Sequence, residues 1–149
     1  MNVGVFCTRE VVVIGRDATI LEAARLMRRH HVGDVIVVEV RGNINLPIGI
    51  LTDRDIVVEL LAKDVDLSLV SAGDAMSLDL HCVKEEDDLL ETMQFMRHRG
   101  IRRVPVVGLA GELIGIITLD DMIEVISEQM TDLVQLLGRE HQIERERRV

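Results

Sequence analysis

With 149 residues, the chain can form one domain or two small ones whose core needs neither disulfides nor a metal ion. Hydrophobic residues make up 48% of the chain and aromatic residues only 1%, so the core must be aliphatic, and stacking platforms for single-stranded nucleic acid are missing. Because 26 acidic residues outweigh 17 basic ones and give a net charge of -9, we expect no nucleic acid as a partner.

The first half of the chain predicts a β-α-β-β-α unit. Residues 11–14 are apolar and predict a short strand, while apolar residues spaced i, i+3, i+4 and i+7 over 20–27 predict a helix with one buried face. The runs 35–38 and 48–51 are rich in Val and Ile and predict two further strands. Apolar residues over 56–61 predict a second helix that closes the unit.

The second half repeats this order. Residues 86–107 match residues 17–38 at an offset of 69 positions, and the residues from Gly115 match those from Gly49 at an offset of 66. The first half therefore carries three extra residues, which we place in a hairpin loop over 41–47. Strands of continuous Val and Ile imply sheets covered by helices. We predict an α+β (α/β) fold in which two repeated β-α-β-β-α units pack as a pseudo-symmetric pair.

The repeats divide the chain into four parts. The predicted boundaries are 5–62 for the first unit, 63–75 for a linker, 76–128 for the second unit and 129–149 for a helical tail. The tail keeps an apolar stripe that comprises Leu133, Val134, Leu136 and Leu137. From Gly138 onward it becomes charged, and we expect it to fray.

The clearest local motif is Gly-x-x-Thr-x-x-Asp, which spans residues 49–55 and recurs over 115–121. In both copies a predicted strand ends and a helix begins at the Thr. One interpretation is a capping box, in which the Thr hydroxyl accepts from a helix-start N–H and the acidic side chain favours the positive helix end. The other is a binding site, because a Thr beside a carboxylate can hold a vicinal diol and free helix-start amides can hold an anion. The two interpretations are compatible.

Together these features resemble the paired CBS domains that are also called a Bateman module. The resemblance covers about residues 5–128 and rests on the two motifs, the Met that ends each first helix (Met27 and Met96) and the segment 102–107. The stretch that begins at His30, HHVGDVIVVE…PIGILTDRDIV, is also similar to stand-alone bacterial CBS proteins. The resemblance implies a module with two clefts for adenosyl ligands, which associates with a second module into a disc-like dimer.

The resemblance also implies roles for individual residues. The Thr–Asp pairs of the two motifs would hold the ribose hydroxyls, and Arg54 or Arg103 would hold phosphate. The strand that begins at Arg103 would line the adenine, with help from Ile50 or Ile116. The full set of predicted nucleotide-binding residues is Thr52, Arg54, Asp55, Asp34, Val35, Ile50, Arg103, Val104, Pro105, Ile116, Thr118 and Asp121.

The two halves differ where the resemblance places phosphate. Asp34 stands in the first half where Arg103 stands in the second, and an Asp repels a nearby phosphate by about 1 kcal/mol or more. Asp120 stands in the second half where Arg54 stands in the first. We therefore expect the clefts to differ, with one empty or open to a less charged ligand. Arg102 and Arg103 also fit an interpretation as solvated surface charge.

The leading functional hypothesis is a regulatory module that senses an adenine nucleotide (AMP, ADP or ATP) and requires no cofactor. S-adenosylmethionine and NAD are the nearest alternative ligands. A second hypothesis is a scaffold homodimer with vestigial clefts, whose apolar C-terminal helix docks a partner. An enzyme is least supported, because the chain lacks G-x-S-x-G and H-E-x-x-H motifs and a clear nucleophile–base pair. We expect a homodimer and a regulated protein that the sequence does not identify.

Cysteine and histidine residues point only weakly to metal binding. Cys7 and Cys82 lack the close spacing of a metal-binding pair and suit small buried thiols, although with His81 they leave a metal site open. His30 and His31 follow a predicted helix, where cations complement the helix dipole.

The N-terminal residues lack the basic and apolar regions of a signal peptide, and no apolar run approaches the roughly 18 residues of a membrane span. Two cysteines fit a reducing compartment. We expect a soluble, cytoplasmic protein with no membrane contact.

Overall fold

The first half of the chain forms a three-stranded sheet with one long helix packed against it. In the computed structural model, which describes residues 1–148, its elements are α1 (Val3–Phe6), β1 (Val13–Gly15), α2 (Ile20–His30), β2 (Asp34–Arg41) and β3 (Ile44–Thr52). β1 runs parallel to β2, and β2 pairs antiparallel with β3.

The second half repeats this arrangement. Its elements are α3 (Ala72–Ala75), β4 (Val83–Lys84), α4 (Leu89–Arg99), β5 (Arg103–Val107), β6 (Leu113–Thr118) and α5 (Leu119–Arg147). β4 runs parallel to β5, and β5 pairs antiparallel with β6, so strand order and direction match those of the first half. The predicted fold of two repeated units is confirmed.

The first long helix of each unit, α2 or α4, forms where the apolar spacing predicts it. The buried residues are Ile20, Ala23 and Met27 in α2 and Leu89, Thr92 and Met96 in α4. The residues that follow the two helices, His31 after α2 and Gly100 after α4, both have the left-handed conformation that commonly terminates helices. The two helices therefore have matching lengths and cover matching faces of the two sheets.

The second helix of the first unit is not an α-helix, which corrects the sequence interpretation. The chain instead forms a π-helical segment (Asp55–Leu60) followed by a 3-10 turn (Leu61–Lys63). Three consecutive β-branched residues, 56–58, crowd the preceding turn and weaken the α-helical conformation. The wider turn still buries Ile56 and Leu60 against the core of the first unit.

The β2–β3 hairpin has a shorter turn than predicted. Residues 41–47 are not a loop, because β3 already begins at Ile44 and only Gly42 and Asn43 connect the strands. Gly42 has a φ of +62°, which glycine adopts without steric cost. Pro47 is accommodated next to an irregularity in the ladder, where a missing N–H is tolerated. The three extra residues therefore lengthen the strands and not the loop.

α5 is a single helix of 29 residues. It continues through Gly138 to Arg147, so the predicted fraying from Gly138 is wrong. The Arg, Glu and Gln residues after Gly138 are good helix formers, which explains the continuity. The last residue of the predicted tail, Val149, lies outside the described residues. Over residues 1–148, we find no helix with both the length and the apolar character needed to cross a membrane.

The two units exchange their lead-in segments, which we define as residues 3–8 and 72–77. α1 precedes the first sheet, yet its Val3 is fully buried in the core of the second unit. α3 precedes the second sheet, yet its Ala72 is fully buried in the core of the first unit. Each core is therefore completed by a residue that precedes the other unit.

Each lead-in segment also pairs with the last strand of the unit against which it packs. The Thr8 N–H donates to the Ile116 carbonyl in β6 (2.9 Å), and the Ile116 N–H donates back to Thr8 (2.9 Å). The Ser77 N–H donates in the same way to the Ile50 carbonyl in β3 (2.9 Å). The backbones of the two units are thus joined at two equivalent places.

The glycine of each Gly-x-x-Thr-x-x-Asp motif is required by this exchange. A Cβ at Gly115 would lie 2.7 Å from Cys7 Sγ and 2.9 Å from the Thr8 carbonyl oxygen. A Cβ at Gly49 would collide with the side chain of Met76. The motif glycines therefore allow the close approach of the exchanged segments.

A small apolar layer lies between the two sheets. Side chains alternate along β2, so Val35 and Val37 belong to the core of the first unit while Ile36 and Val38 belong to this layer. Ile116 from β6 is buried in the same layer. The units are thus held together by apolar contact as well as by backbone pairing.

We expect Gly115→Ala to lower the free energy of unfolding by about 1–3 kcal/mol, because the added methyl group meets the Thr8 backbone, which cannot turn aside. Gly49→Ala should also lower stability, because the added group meets the buried side chain of Met76 from its Sδ to its Cβ. Gly138→Ala is the control: no atom lies within 4 Å of the added group, and the change should be neutral or stabilising by up to about 1 kcal/mol. Urea denaturation measures all three, and wild-type stability of Gly115→Ala would contradict the packing role.

Candidate functional site

A Thr–Asp pair lies at the carboxyl end of the last strand of each unit. In the first unit, the Thr52 N–H donates to Asp55 Oδ2 (3.0 Å) and the Asp55 N–H donates to the Thr52 hydroxyl (3.1 Å). In the second unit, the Thr118 N–H donates to Asp121 Oδ2 (2.9 Å) and the Asp121 N–H donates to the Thr118 hydroxyl (3.2 Å). The capping-box interpretation is confirmed for both pairs.

Capping leaves hydrogen-bonding capacity in both pairs. Asp55 and Asp121 accept through Oδ2, and no described residue donates to Oδ1 of either carboxylate. All four side chains of the two pairs are partly exposed. A carboxylate has acceptor sites on both oxygens, so helix capping and binding of a diol are compatible.

Thr118 and Asp121 line a cavity of about 290 Å³ between the units. Its opposite wall comes from the first half of the chain and consists of Thr8, Glu10, Val11, Val12, Val32 and Asp34. A second cavity of about 240 Å³ shares Val32, Asp34, Thr118 and Asp120 with the first and adds Arg102 and Arg103. The two cavities therefore adjoin, and we call them together the Thr118 cleft. Their volumes suit a small-molecule ligand.

The larger cavity of the Thr118 cleft is acidic. Four carboxylates line it, from Glu10, Asp34, Asp120 and Asp121, and none of its described lining residues is basic. The basic side chains of the cleft lie only in the adjoining cavity. An anionic group in the larger cavity would therefore meet repulsion from several directions.

One ion pair joins the two units beside both motifs. Arg103 Nη1 donates to Asp34 Oδ1 at 2.5 Å, and the two residues occupy equivalent repeat positions, 69 residues apart. In the strand ladders, Asp34 lies opposite Thr52, and Arg103 lies opposite Thr118. Asp34 therefore does more than repel phosphate, because it engages the arginine that was predicted to bind phosphate.

Burial raises the pKa of Asp34 above its usual range. The Arg103 guanidinium acts in the opposite direction, while nearby Asp53 raises the pKa further. The Asp34 side chain is only 16% exposed. The loss of hydration thus outweighs the attraction of a single partner, which is common for buried ion pairs.

The repeat relation predicts a corresponding cleft around Thr52 and Asp55, which we call the Thr52 cleft. The pairing of Ser77 with Ile50 matches that of Thr8 with Ile116, so the residues after Ser77 are positioned to form its wall. In this cleft, Arg54 stands where Asp120 stands in the Thr118 cleft, and Arg103 stands where Asp34 stands. The repeat relation therefore predicts that the two clefts differ in charge.

The apolar residues predicted to line the adenine differ in accessibility. Val35 and Val104 are 0% exposed and pack in the cores of their own units, so only their backbone atoms remain available for the predicted contact. Pro105 is also fully buried. Ile50 packs against the layer between the sheets, and Ile116 both belongs to that layer and lines the Thr118 cleft.

Glu10 and Val32 line the Thr118 cleft but were not predicted to do so. Thr8 and Ser77 hold matched repeat positions, and this match is the sequence signal that could have indicated the cleft wall. The signal was insufficient, because a repeat shows that two segments are equivalent without showing which sheet each one joins.

Cys7 and His81, two of the three residues considered for a metal site, make different packing contacts. Within residues 1–148, no three His, Cys, Asp or Glu side chains are grouped so that they could hold a metal ion. Cys7 packs against Gly115, and burial raises the pKa of its thiol. His81 packs edge-on against the ring of Phe95, with 5.5 Å between ring centroids.

The chain matches a family model, described as CBS domain, over residues 3–62 and again over 72–128. Hypoxic response protein 1 of Mycobacterium tuberculosis is 33% identical over 122 residues, which cover 82% of this chain and 78% of that protein. An uncharacterised protein of Methanopyrus kandleri is 35% identical over 125 residues, which cover 84% of this chain. The match covers 62% of that archaeal protein, so the chain spans less than two thirds of its length.

A solved structure shows the same architecture. The CBS domain protein of Pyrobaculum aerophilum, solved in complex with AMP, superposes with a TM-score of 0.73 at 26% sequence identity. The superposition covers 81% of this chain and 89% of that one.

We expect Asp34→Asn to gain stability relative to the wild type as the pH rises from about 4 to about 7. The raised pKa means that folded Asp34 holds its proton more tightly than unfolded Asp34, so its contribution to stability is present at low pH and is lost as the pH rises through the folded pKa. The amide oxygen of the substituted side chain can still accept the Arg103 hydrogen bond, but the amide does not ionise.

Urea unfolding across this pH range measures the difference. Asp66→Asn is the control without a slope: hydrogen bonds from Ser68 lower the pKa of Asp66, so its contribution changes only below about pH 4 and its relative stability should stay nearly constant over this range. A relative stability of Asp34→Asn that falls with rising pH would show that the attraction of Arg103 outweighs burial.

Proposed function

The chain belongs to the CBS-domain family, and on that premise we propose that it is a regulatory module that binds an adenine nucleotide, AMP, ADP or ATP. The observation that carries the proposal is the placement of two Thr–Asp pairs, each with an open carboxylate oxygen, at the strand ends beside the inter-unit ion pair. The AMP complex of the Pyrobaculum aerophilum protein supports the choice of ligand class.

The Thr–Asp pairs are suited to a ribose. In each pair, Oδ2 of the carboxylate is held by the helix cap, which fixes the orientation of the group and leaves Oδ1 free to accept from a hydroxyl. The cap also orients the Thr hydroxyl, and the helix that starts at the pair presents backbone N–H groups toward an anion. A vicinal diol with a phosphate nearby can bind to the free carboxylate oxygen, to the Thr hydroxyl and to the helix-start N–H groups.

The difference in charge assigns ligands to the clefts. A phosphate about 4 Å from one carboxylate is disfavoured by about 1 kcal/mol in water and by about 4 kcal/mol near a protein surface. Four carboxylates line the larger cavity of the Thr118 cleft, and the arginines of that cleft lie only in its smaller cavity, where Arg103 is already paired with Asp34. The Thr52 cleft has Arg54 and the neighbouring Arg103. We assign the phosphorylated nucleotide to the Thr52 cleft. The Thr118 cleft is left with an uncharged or cationic adenosyl ligand, such as S-adenosylmethionine, or with none.

Ligand binding is coupled to the arrangement of the units. The wall opposite the Thr118–Asp121 pair comes from the other half of the chain, and the repeat relation predicts the same for Thr52 and Asp55, so a bound nucleotide contacts both units and favours the arrangement that fits it best. In this proposal, the signalling form is a homodimer, and a regulated partner protein reads the angle between units or modules.

We expect Asp55→Asn to weaken AMP binding about tenfold or more, because the amide keeps one acceptor for the helix cap but replaces the second oxygen with a donor. Asp74→Asn is the matched control, since Asp74 forms the same capping box with Ser71 at α3 but, unlike Asp55, does not follow the carboxyl end of a motif strand. Calorimetric titration of nucleotide-free protein with AMP, ATP, NAD and S-adenosylmethionine gives both affinity and stoichiometry.

Wild-type AMP affinity in both Asp55→Asn and Asp121→Asn would refute the assignment of the Thr–Asp pairs. If none of the four ligands produced heat or thermal stabilisation in the wild type, the clefts would be vestigial. The scaffold function would then be preferred.

We expect Asp34→Asn to tighten AMP binding several-fold, because the change removes a carboxylate and leaves the Arg103 charge without a counter-ion, even where the amide still accepts its hydrogen bond. Adenosine is the internal control, since it lacks only the phosphate, and its affinity should stay nearly unchanged. Equal effects on AMP and adenosine would show that the Asp34–Arg103 pair does not act on the phosphate.

A further inference from the structure

The second half of α5 extends away from the body of the protein. Residues 127–142 are all exposed, whereas the buried residues of the helix, Met122 and Val125, lie in its first two turns. The whole helix is about 44 Å long at 1.5 Å per residue. An isolated helix of this kind is only marginally stable in water unless its apolar face is covered.

Exposed apolar side chains follow one line along this helix. We define the seam as Leu119, Ile123, Ile126, Met130, Leu133 and Leu137. Its residues are spaced alternately four and three positions apart, which is the a and d spacing of a coiled coil. Each of them is between 37% and 58% exposed, so none is buried within its own chain.

Charged side chains lie away from the seam. Between Ile126 and Leu137, the four positions that flank it are uncharged and are occupied by Ser127, Gln129, Val134 and Leu136. Glu124, Glu128 and Asp132 lie on the outer positions of the helix. A second helix can therefore approach the seam without passing a charged rim.

The seam has a defined end. Glu140 and Glu144 occupy the next two positions of the same spacing after Leu137. The apolar line thus runs from the body of the second unit to Leu137 and stops there, while the helix itself continues.

We propose that the seam pairs with the same seam of a second copy of this chain. In a two-fold symmetric pair, each apolar seam residue is buried against apolar seam residues of the second copy. Because the flanking positions are uncharged, the pair brings no like charges together there. A membrane-surface helix would carry Lys and Arg on its polar face, whereas the outer face from Glu124 to Asp132 is acidic. The pairing does not depend on the nucleotide sites.

Sedimentation velocity of the full chain over a wide micromolar range tests the proposal. The wild type should be a dimer, and Leu133→Glu or Leu137→Glu should raise the dimer dissociation constant by about tenfold or more, because each places a charge in the seam. Gln135→Glu is the matched control, since it adds the same charge to an exposed outer position of the same helix. Leu21→Glu, on the exposed face of α2, separates this pairing from association through the body.

Circular dichroism provides a second readout. The seam variants should lose helical signal from α5 while the main unfolding transition of the body stays in place, which also shows that they fold. A monomeric wild type, a dimer that neither seam variant weakens, or an equal effect of Gln135→Glu would overturn the proposal. A dimer that only Leu21→Glu weakens would place the interface on the body and would overturn it as well.

Discussion

The exchange of lead-in segments between the two units is the contact on which the rest of the structure depends. Val3 completes the core of the second unit and Ala72 that of the first, so neither core is whole on its own. The backbone pairing of Thr8 with Ile116 brings two chain segments so close that the neighbouring motif position, Gly115, has no room for a side chain. The same exchange places residues of one unit on the wall opposite the Thr–Asp pair of the other. The motif glycine, the cleft and the association of the units all follow from this arrangement.

Much of the fold could be predicted because local patterns specify it. The spacing of apolar residues placed α2 correctly, and the repeat required the second half to adopt the same strand order. The exchange could not be predicted, because the short apolar segment at Val3 fits either core. The hairpin at Gly42 was mistaken for a longer loop, since its composition suits both a loop and a tight turn between long strands. The π-helical segment that begins at Asp55 was interpreted as α-helical because both conformations bury residues with similar spacing.

The parts of the candidate site that lie within one sequence motif could be predicted. The parts that depend on contact between distant segments could not. The Thr–Asp pairs were recognisable because a capping box is local in sequence. The Asp34–Arg103 pair was not, since equivalent positions of a repeat meet only near the pseudo-two-fold axis, and a sequence does not give their distance from it. Alternation along β2 would have assigned Val35 to the core once Asp34 was placed at the cleft. The difference in charge between the clefts was visible in the sequence, but its link to an ion pair shared by both units required the structure.

The Asp34–Arg103 pair also bears on how the halves of one chain find each other during folding. If the first unit of one molecule met the first unit of another in this arrangement, Asp34 would face a second Asp34. Two second units would in turn bring Arg103 against Arg103. Both encounters would bury like charges, which is strongly unfavourable, whereas closure of a chain on itself neutralises them. A single difference between equivalent positions thus disfavours assembly through identical halves and favours the pairing of a first unit with a second unit.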